Sequence, residues 1–136
     1  MRYLLDTSVW LRSVAEPQTL PMAARQILEG REGEFGLSAI SLWEVGKKFQ
    51  YGKLPLDQDL GPWLKSATVP PIQILPLTAE IVTAAMRLPD FPNRDPADEL
   101  IVATAAVHGL ILLTTDTLLK GYKHVRVQYF TPVLRK

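Results

Sequence analysis

The chain contains no cysteine. That excludes a disulfide scaffold, cysteine-ligated zinc and a thiol nucleophile. Histidine is almost as scarce, with only His108 and His124, and the two lack the spacing of a metal-binding pair. Neither charge sign is in excess: 15 Lys and Arg against 14 Asp and Glu leave a net charge of +1. Charge alone therefore does not mark a nucleic-acid binder. No apolar run reaches the roughly 20 residues of a membrane span. The longest, residues 100–113, is broken by His108 and Gly109. Asp6 interrupts the first apolar residues at once, so the start does not read as a secretory signal. A cytoplasmic protein with no membrane association is expected.

What remains is ordinary globular composition. Of 136 residues, 47% are hydrophobic and 21% charged, which predicts a single packed domain over residues 1–136. Apolar runs at Tyr3-Leu4-Leu5, residues 35–39, 72–77, 110–113 and 125–130 read as strands. Helical spacing over residues 20–30, 41–52, 78–88 and 97–108 predicts helices between them. A weaker helix, interrupted by Gly61-Pro62, is predicted over 57–67, and a short helical stretch over 117–122. Residues 89–96, rich in Pro, Asn and Asp, read as a loop. Strands alternating with helices imply an α/β fold with a parallel sheet covered on both faces. Ligands of such sheets bind outside the carboxyl ends of the strands, near the point where strand order reverses.

Four acids are predicted at that edge. Asp6 ends the first strand, Glu44 and Asp98 lie in first turns of helices, and Asp116 follows the 110–113 strand. Each has a purely structural alternative. Ser41-Leu42-Trp43-Glu44 matches a capping box. Asp95-Pro96-Ala97-Asp98 reads as an N-cap, a proline at the first helical position and a first-turn acid. Asp6 and Asp116 also suit caps. As a group they argue differently, because four converging carboxylates repel unless a cation neutralises them. An all-oxygen set favours Mg²⁺ or Mn²⁺ over zinc. Hard cations held by carboxylates suit phosphodiester hydrolysis, since they acidify an attacking water and offset charge on the departing oxygen.

These segments resemble a known family. Leu4-Leu5-Asp6-Thr7-Ser8-Val9-Trp10-Leu11 is similar to the opening of a PIN domain. Residues 38–45 with Lys47 and Gly52-Lys53-Leu54, residues 95–105, and Leu113-Thr114-Thr115-Asp116 resemble the further motifs of VapC-type toxins, in the same order. The resemblance implies a three-layer α/β/α sandwich with a mainly parallel five-stranded sheet. It implies an Mg²⁺- or Mn²⁺-dependent endoribonuclease that cleaves RNA and is held in check by a cognate antitoxin protein. Asp6, Glu44, Asp98 and Asp116 would be the metal-binding and catalytic acids, and Thr114 a supporting hydroxyl. Many relatives carry histidine at the position of Ser8 and arginine at that of Glu99.

Other residues are weighed against plain packing. Arg12, Lys47, Lys48, Lys53 and Arg94 suit RNA phosphates or a solvated surface. Among the aromatics, Trp43 and Phe49 are expected in the core, whereas Trp10 and Trp63 are expected at an interface. An antitoxin groove is expected near Trp10, Leu11 and the 20–30 helix, and the same surfaces suit a homodimer. His108 is expected at a helix C-terminus and His124 in a turn. A haloacid-dehalogenase-like phosphatase needs a second Asp where Ser8 stands. A receiver domain needs adjacent early acids and a late lysine. A catalytically silent PIN-fold RNA-binding or scaffold protein is the non-enzymatic alternative, and it usually lacks some of the four acids.

Overall fold

Five short strands form the sheet of the computed structural model, which describes residues 1–30 and 34–134. They are β1 (Tyr3–Leu5), β2 (Phe35–Ser38), β3 (Ile72–Leu75), β4 (Ile111–Thr114) and β5 (Val127–Tyr129). The spatial order is β3-β2-β1-β4-β5, and every neighbouring pair is parallel. Strand order reverses at β1, which pairs with β2 on one side and β4 on the other. The register sets Leu5 opposite both Leu37 and Leu113.

Side chains alternate across a strand, and the two faces of β1 feed two cores. Leu5, with Phe35, Leu37 and Leu113, packs against Val9 and Trp10 of α1 (Thr7–Ala15), Ala24 of α2 (Met22–Glu29), Val45 of α3 (Ala39–Gln50) and Trp63 of α4 (Leu60–Ser66). Leu4, with Leu112 and Leu75, packs against Ile101, Val102 and Ala105 of α6 (Pro96–His108). Ala103 of α6 meets Ile81 and Ala85 of α5 (Ala79–Met86) in an adjoining cluster. Gly36 lies on the Leu4 face, where an added Cβ would stand 2.9 Å from Leu75 Cδ1. A side chain there would push the β3 neighbour away.

Local chemistry explains most element ends. Asp6 caps α1 by accepting from the Thr7 amide. Thr78 caps α5 by accepting from Ile81. Asp95 caps α6 by accepting from Ala97, with Pro96 beginning the helix. Gly109 ends α6 at φ 66°, a left-handed conformation that glycine adopts without strain.

Several expectations are corrected. Helix α1 was not foreseen as an element, because Thr7, Ser8 and Val9 are poor helix formers; its burial against Leu5 overrides propensity. The cap of α3 is Ser38, which accepts from the Ile40 amide, so the Ser41 capping box does not form. Ser41 is instead buried inside the helix. Helix α4 contains Gly61 and Pro62 in its first turn, where a proline's missing N–H costs nothing. Residues 117–121 form turns rather than a helix.

The aromatic assignments reverse. Trp10 is fully buried and Trp63 nearly so, in an edge-to-face pair at 5.5 Å. The Trp10 indole N–H donates to the Ala67 carbonyl at 2.9 Å. Trp43 is 57% exposed, and Phe49 is exposed as well. The two tryptophans expected at an interface therefore join α1 to α4 in the core, and Trp10 is not available to a partner. Trp10→Ala should lower stability by about 3–5 kcal/mol, because it leaves a cavity and an unpaired carbonyl. Trp43→Ala should lower it by far less. Urea unfolding of the two variants checks the contrast, and equal losses would contradict this packing.

Candidate active site

The carboxyl ends of β1 and β4 carry the site. Asp6 follows β1 directly, and its amide donates to the Leu113 carbonyl at 2.9 Å. That bond extends the sheet by one step and fixes Asp6 beside Thr114. The Thr114 hydroxyl donates to Asp6 Oδ2 at 2.6 Å. The other oxygen, Oδ1, accepts from the Thr7 amide at 2.9 Å. Thr114 Oγ1 also accepts from the Asp116 amide at 3.0 Å, so this hydroxyl ties two of the acids to one strand end. Asp116 Oδ1 in turn accepts from the Leu118 amide at 2.9 Å, closing a local turn.

Glu44 reaches the same edge from α3. Thr7 Oγ1 donates to Glu44 Oε1 at 2.5 Å and lies 2.7 Å from the Ser41 hydroxyl. Asp98 enters from the first turn of α6, where Asn93 Nδ2 donates to its Oδ2 at 2.9 Å. Asp95, three residues earlier, spends Oδ1 on the Ala97 amide at 3.0 Å. Thr7 and Asn93 were not singled out from sequence, and Ser41 was read there only as a helix cap. The signal for Thr7 was its place between Asp6 and Ser8; nothing local marks Asn93, whose contact depends on the loop's path.

Several of these acids act on one another electrostatically. Asp6 is 4% exposed. Burial pushes its carboxyl above the usual range, and Asp116 adds to the rise, against the lowering effect of Thr114, Thr7 and Ser8. Glu44 is raised by burial and by Asp6 and Asp95; Thr7 and Lys48 oppose this. Asp98 is pushed up to about 7, first by burial and then by Asp6, with Asp95 and Asp116 adding to it. Asp6 thus repels Glu44 and Asp98 and is itself raised by Asp116. None of the groups that most affect Asp6 and Asp98 is a cation.

Among the described residues, no three such side chains are drawn close enough together to form a ready metal cluster. Each carboxylate is turned to its own hydrogen-bond donor, which is how mutually repelling acids distribute themselves. The donor chemistry nevertheless fits a hard divalent cation: every candidate atom is a carboxylate or hydroxyl oxygen. Buried acids whose pKa values rise through mutual repulsion are a recognised mark of a functional site.

Of the basic residues, Lys48 acts on Glu44. Arg12 and Lys48 line a pocket of about 210 Å³ with Ser8, Leu11 and Leu54. Lys53 and Arg94 are exposed. His108 ends α6, and His124 packs on Tyr122.

The raised Asp98 pKa predicts a pH dependence for the metal-free protein. In the unfolded chain this carboxyl titrates near 3.8, and in the fold near 7. The folded state therefore binds the proton more tightly, and its stabilising effect is complete below the lower value. It is lost as pH rises from about 4 to 7. Asp98→Asn removes this loss and can still accept from Asn93. Urea midpoints in chelator should show the variant gaining on the wild type across that window. A gap that stays constant with pH would contradict the assignment.

Comparison with known proteins supplies the lineage. The PIN domain family model matches residues 3–125. Over 123 residues the chain is 35% identical to Ribonuclease VapC22 of Mycobacterium tuberculosis, covering 90% of this chain and 93% of that protein. The fold resembles VapBC2 from Rickettsia felis, solved bound to a promoter DNA fragment, with a TM-score of 0.72 at 16% identity. That match covers 96% of this chain and 99% of the other. It also resembles the sarcin-ricin loop cleaving toxin VapC20 of M. tuberculosis, with a TM-score of 0.62 at 15% identity, covering 91% and 98%. With a parallel sheet in the same architecture and a family match over nearly its whole length, this chain belongs to the PIN domain family.

Proposed function

We propose that the protein is a divalent-metal-dependent endoribonuclease, with residues 1–136 forming one nuclease domain, and that it is the toxin of a VapBC-type toxin–antitoxin pair. The observation that carries the catalytic reading is geometric: Asp6 and Asp116 are tied by Thr114 to the ends of β1 and β4, where strand order reverses, and α3 and α6 bring Glu44 and Asp98 toward them. The likeness to a ribonuclease over most of the chain supports the choice of RNA. The family assignment removes the phosphatase alternative.

In this reading Asp6, Glu44, Asp98 and Asp116 hold Mg²⁺ or Mn²⁺. The cation supplies the positive charge that acidifies an attacking water and offsets charge on the departing oxygen. Thr114 positions Asp6 and the Asp116 backbone. Thr7 orients Glu44, and Asn93 orients Asp98. The antitoxin is proposed to use the surface around Leu11 and Arg12, beside the pocket that also includes Lys48. Trp10 has no part in it.

Asp98 and Asp95 separate the catalytic role from the capping role. Asp98→Asn should cut RNA cleavage on the order of a hundredfold or more while circular dichroism stays unchanged. Asp95→Asn should keep most activity, because asparagine caps helices about as well as aspartate. Cleavage of a structured RNA in Mn²⁺ measures both. Full activity in Asp98→Asn, or loss confined to Asp95→Asn, would reverse the assignment.

A further inference from the structure

Trp43, the residue beside Glu44, faces outward. Trp43 is 57% exposed, and Tyr51, two helical turns on, is 68% exposed. Lys47 lies between them, with its ammonium 5.7 Å from each ring centroid and donating to Gln50 at 3.1 Å. These residues stand four apart on or just after α3, so they form one stripe along its outer side. Trp43 also lines a pocket of about 480 Å³ with Ala39, Ile40, Leu77 and Pro96, and Asp95 at its side. That pocket joins the start of α3 to the start of α6, the two helices that carry Glu44 and Asp98.

We propose that this stripe is the RNA-positioning surface: an unstacked base lies on Trp43 at the pocket, Lys47 takes the adjoining phosphate, and Tyr51 takes a further base. The proposal rests on the nuclease reading and names residues outside the acids that position the strand. Two features favour a single strand. Aromatic faces stack on any unpaired base, whereas a duplex keeps its bases inside. Residues four apart on a helix advance about 6 Å along its axis, wider than the ~3.4 Å step of a stacked strand. The stripe carries Lys47 with Lys48 next to it, and the one acid of α3, Glu44, is engaged by Thr7. A polyanion complements that charge.

The test measures binding with chelator present, so that nothing is cut. Fluorescence anisotropy compares a labelled short oligouridylate with a blunt RNA duplex of the same length. Trp43→Ala should weaken the single-strand complex by about tenfold, the scale of one lost base stack. Trp43→Phe should restore most of it, and the melting temperature should not move. Lys47→Ala should weaken binding and flatten its salt dependence. In Mn²⁺, Trp43→Ala should raise KM while kcat holds. Equal single-strand affinity in wild type and Trp43→Ala would overturn the proposal. So would a Trp43→Ala variant that sediments as a monomer where the wild type is a dimer, with RNA affinity per protomer unchanged. Binding that behaves as described without any Mn²⁺-dependent cleavage would refute the nuclease reading and leave the binding surface standing.

Discussion

Two parallel strands, β1 and β4, hold negative charge where the fold can least screen it. Their register sets Leu5 against Leu113, so Asp6 and Thr114 leave the sheet side by side in a site almost without solvent. Burial disfavours the charged carboxylate of Asp6, and only neutral donors, Thr114, Thr7 and Ser8, oppose that effect. Glu44 and Asp98 are then delivered to the same edge by α3 and α6. Each arrival raises the energy of the charged state further, because like charges in a partly desolvated site cannot all ionise freely.

The rest of the molecule fixes this arrangement in place. Apolar contacts on the two faces of β1 clamp the strand between separate cores, so the acids cannot relax by moving the backbone apart. The side chains yield instead, each toward its own donor: Glu44 to Thr7, Asp98 to Asn93, Asp116 to the Leu118 amide. Stability is thus held by the tryptophan pair and the buried aliphatics, while the edge stays electrostatically unsatisfied. A divalent cation is the species that would reverse this balance, turning mutual repulsion into shared attraction.

Much of this was legible in the residues. Continuous apolar runs such as Leu110 to Leu113 mark strands buried on both faces, and their alternation with helices dictates a parallel sheet. The capping role of Asp95 was legible because Pro96 fixes where α6 begins. The fate of the tryptophans was misread. Trp43 lies two residues from both Ser41 and Val45, about 200° around the helix from each, which puts it opposite the buried side. A reading that placed both Trp43 and Phe49 in the core missed this. Trp10 and Trp63 meet across α1 and α4, a contact that no local pattern encodes. Thr7 and Asn93 escaped notice for the same reason, since hydroxyl and amide donors acquire their roles only when distant segments meet. Ser38 rather than Ser41 caps α3 because the helix starts at once where β2 ends, leaving no linker to hold a later cap.

Whether the acids around Asp6 form one cation site decides whether this edge can be catalytic. Calorimetric titration of Mn²⁺ into the metal-free protein, beside Asp6→Asn with its fold checked by circular dichroism, tests this most directly. The account predicts binding to the wild type with release of protons, because a carboxyl titrating near 7 must ionise to bind. It predicts that binding is lost in the folded Asp6→Asn protein. Mn²⁺ binding of equal strength in both, or none in the wild type, would contradict it.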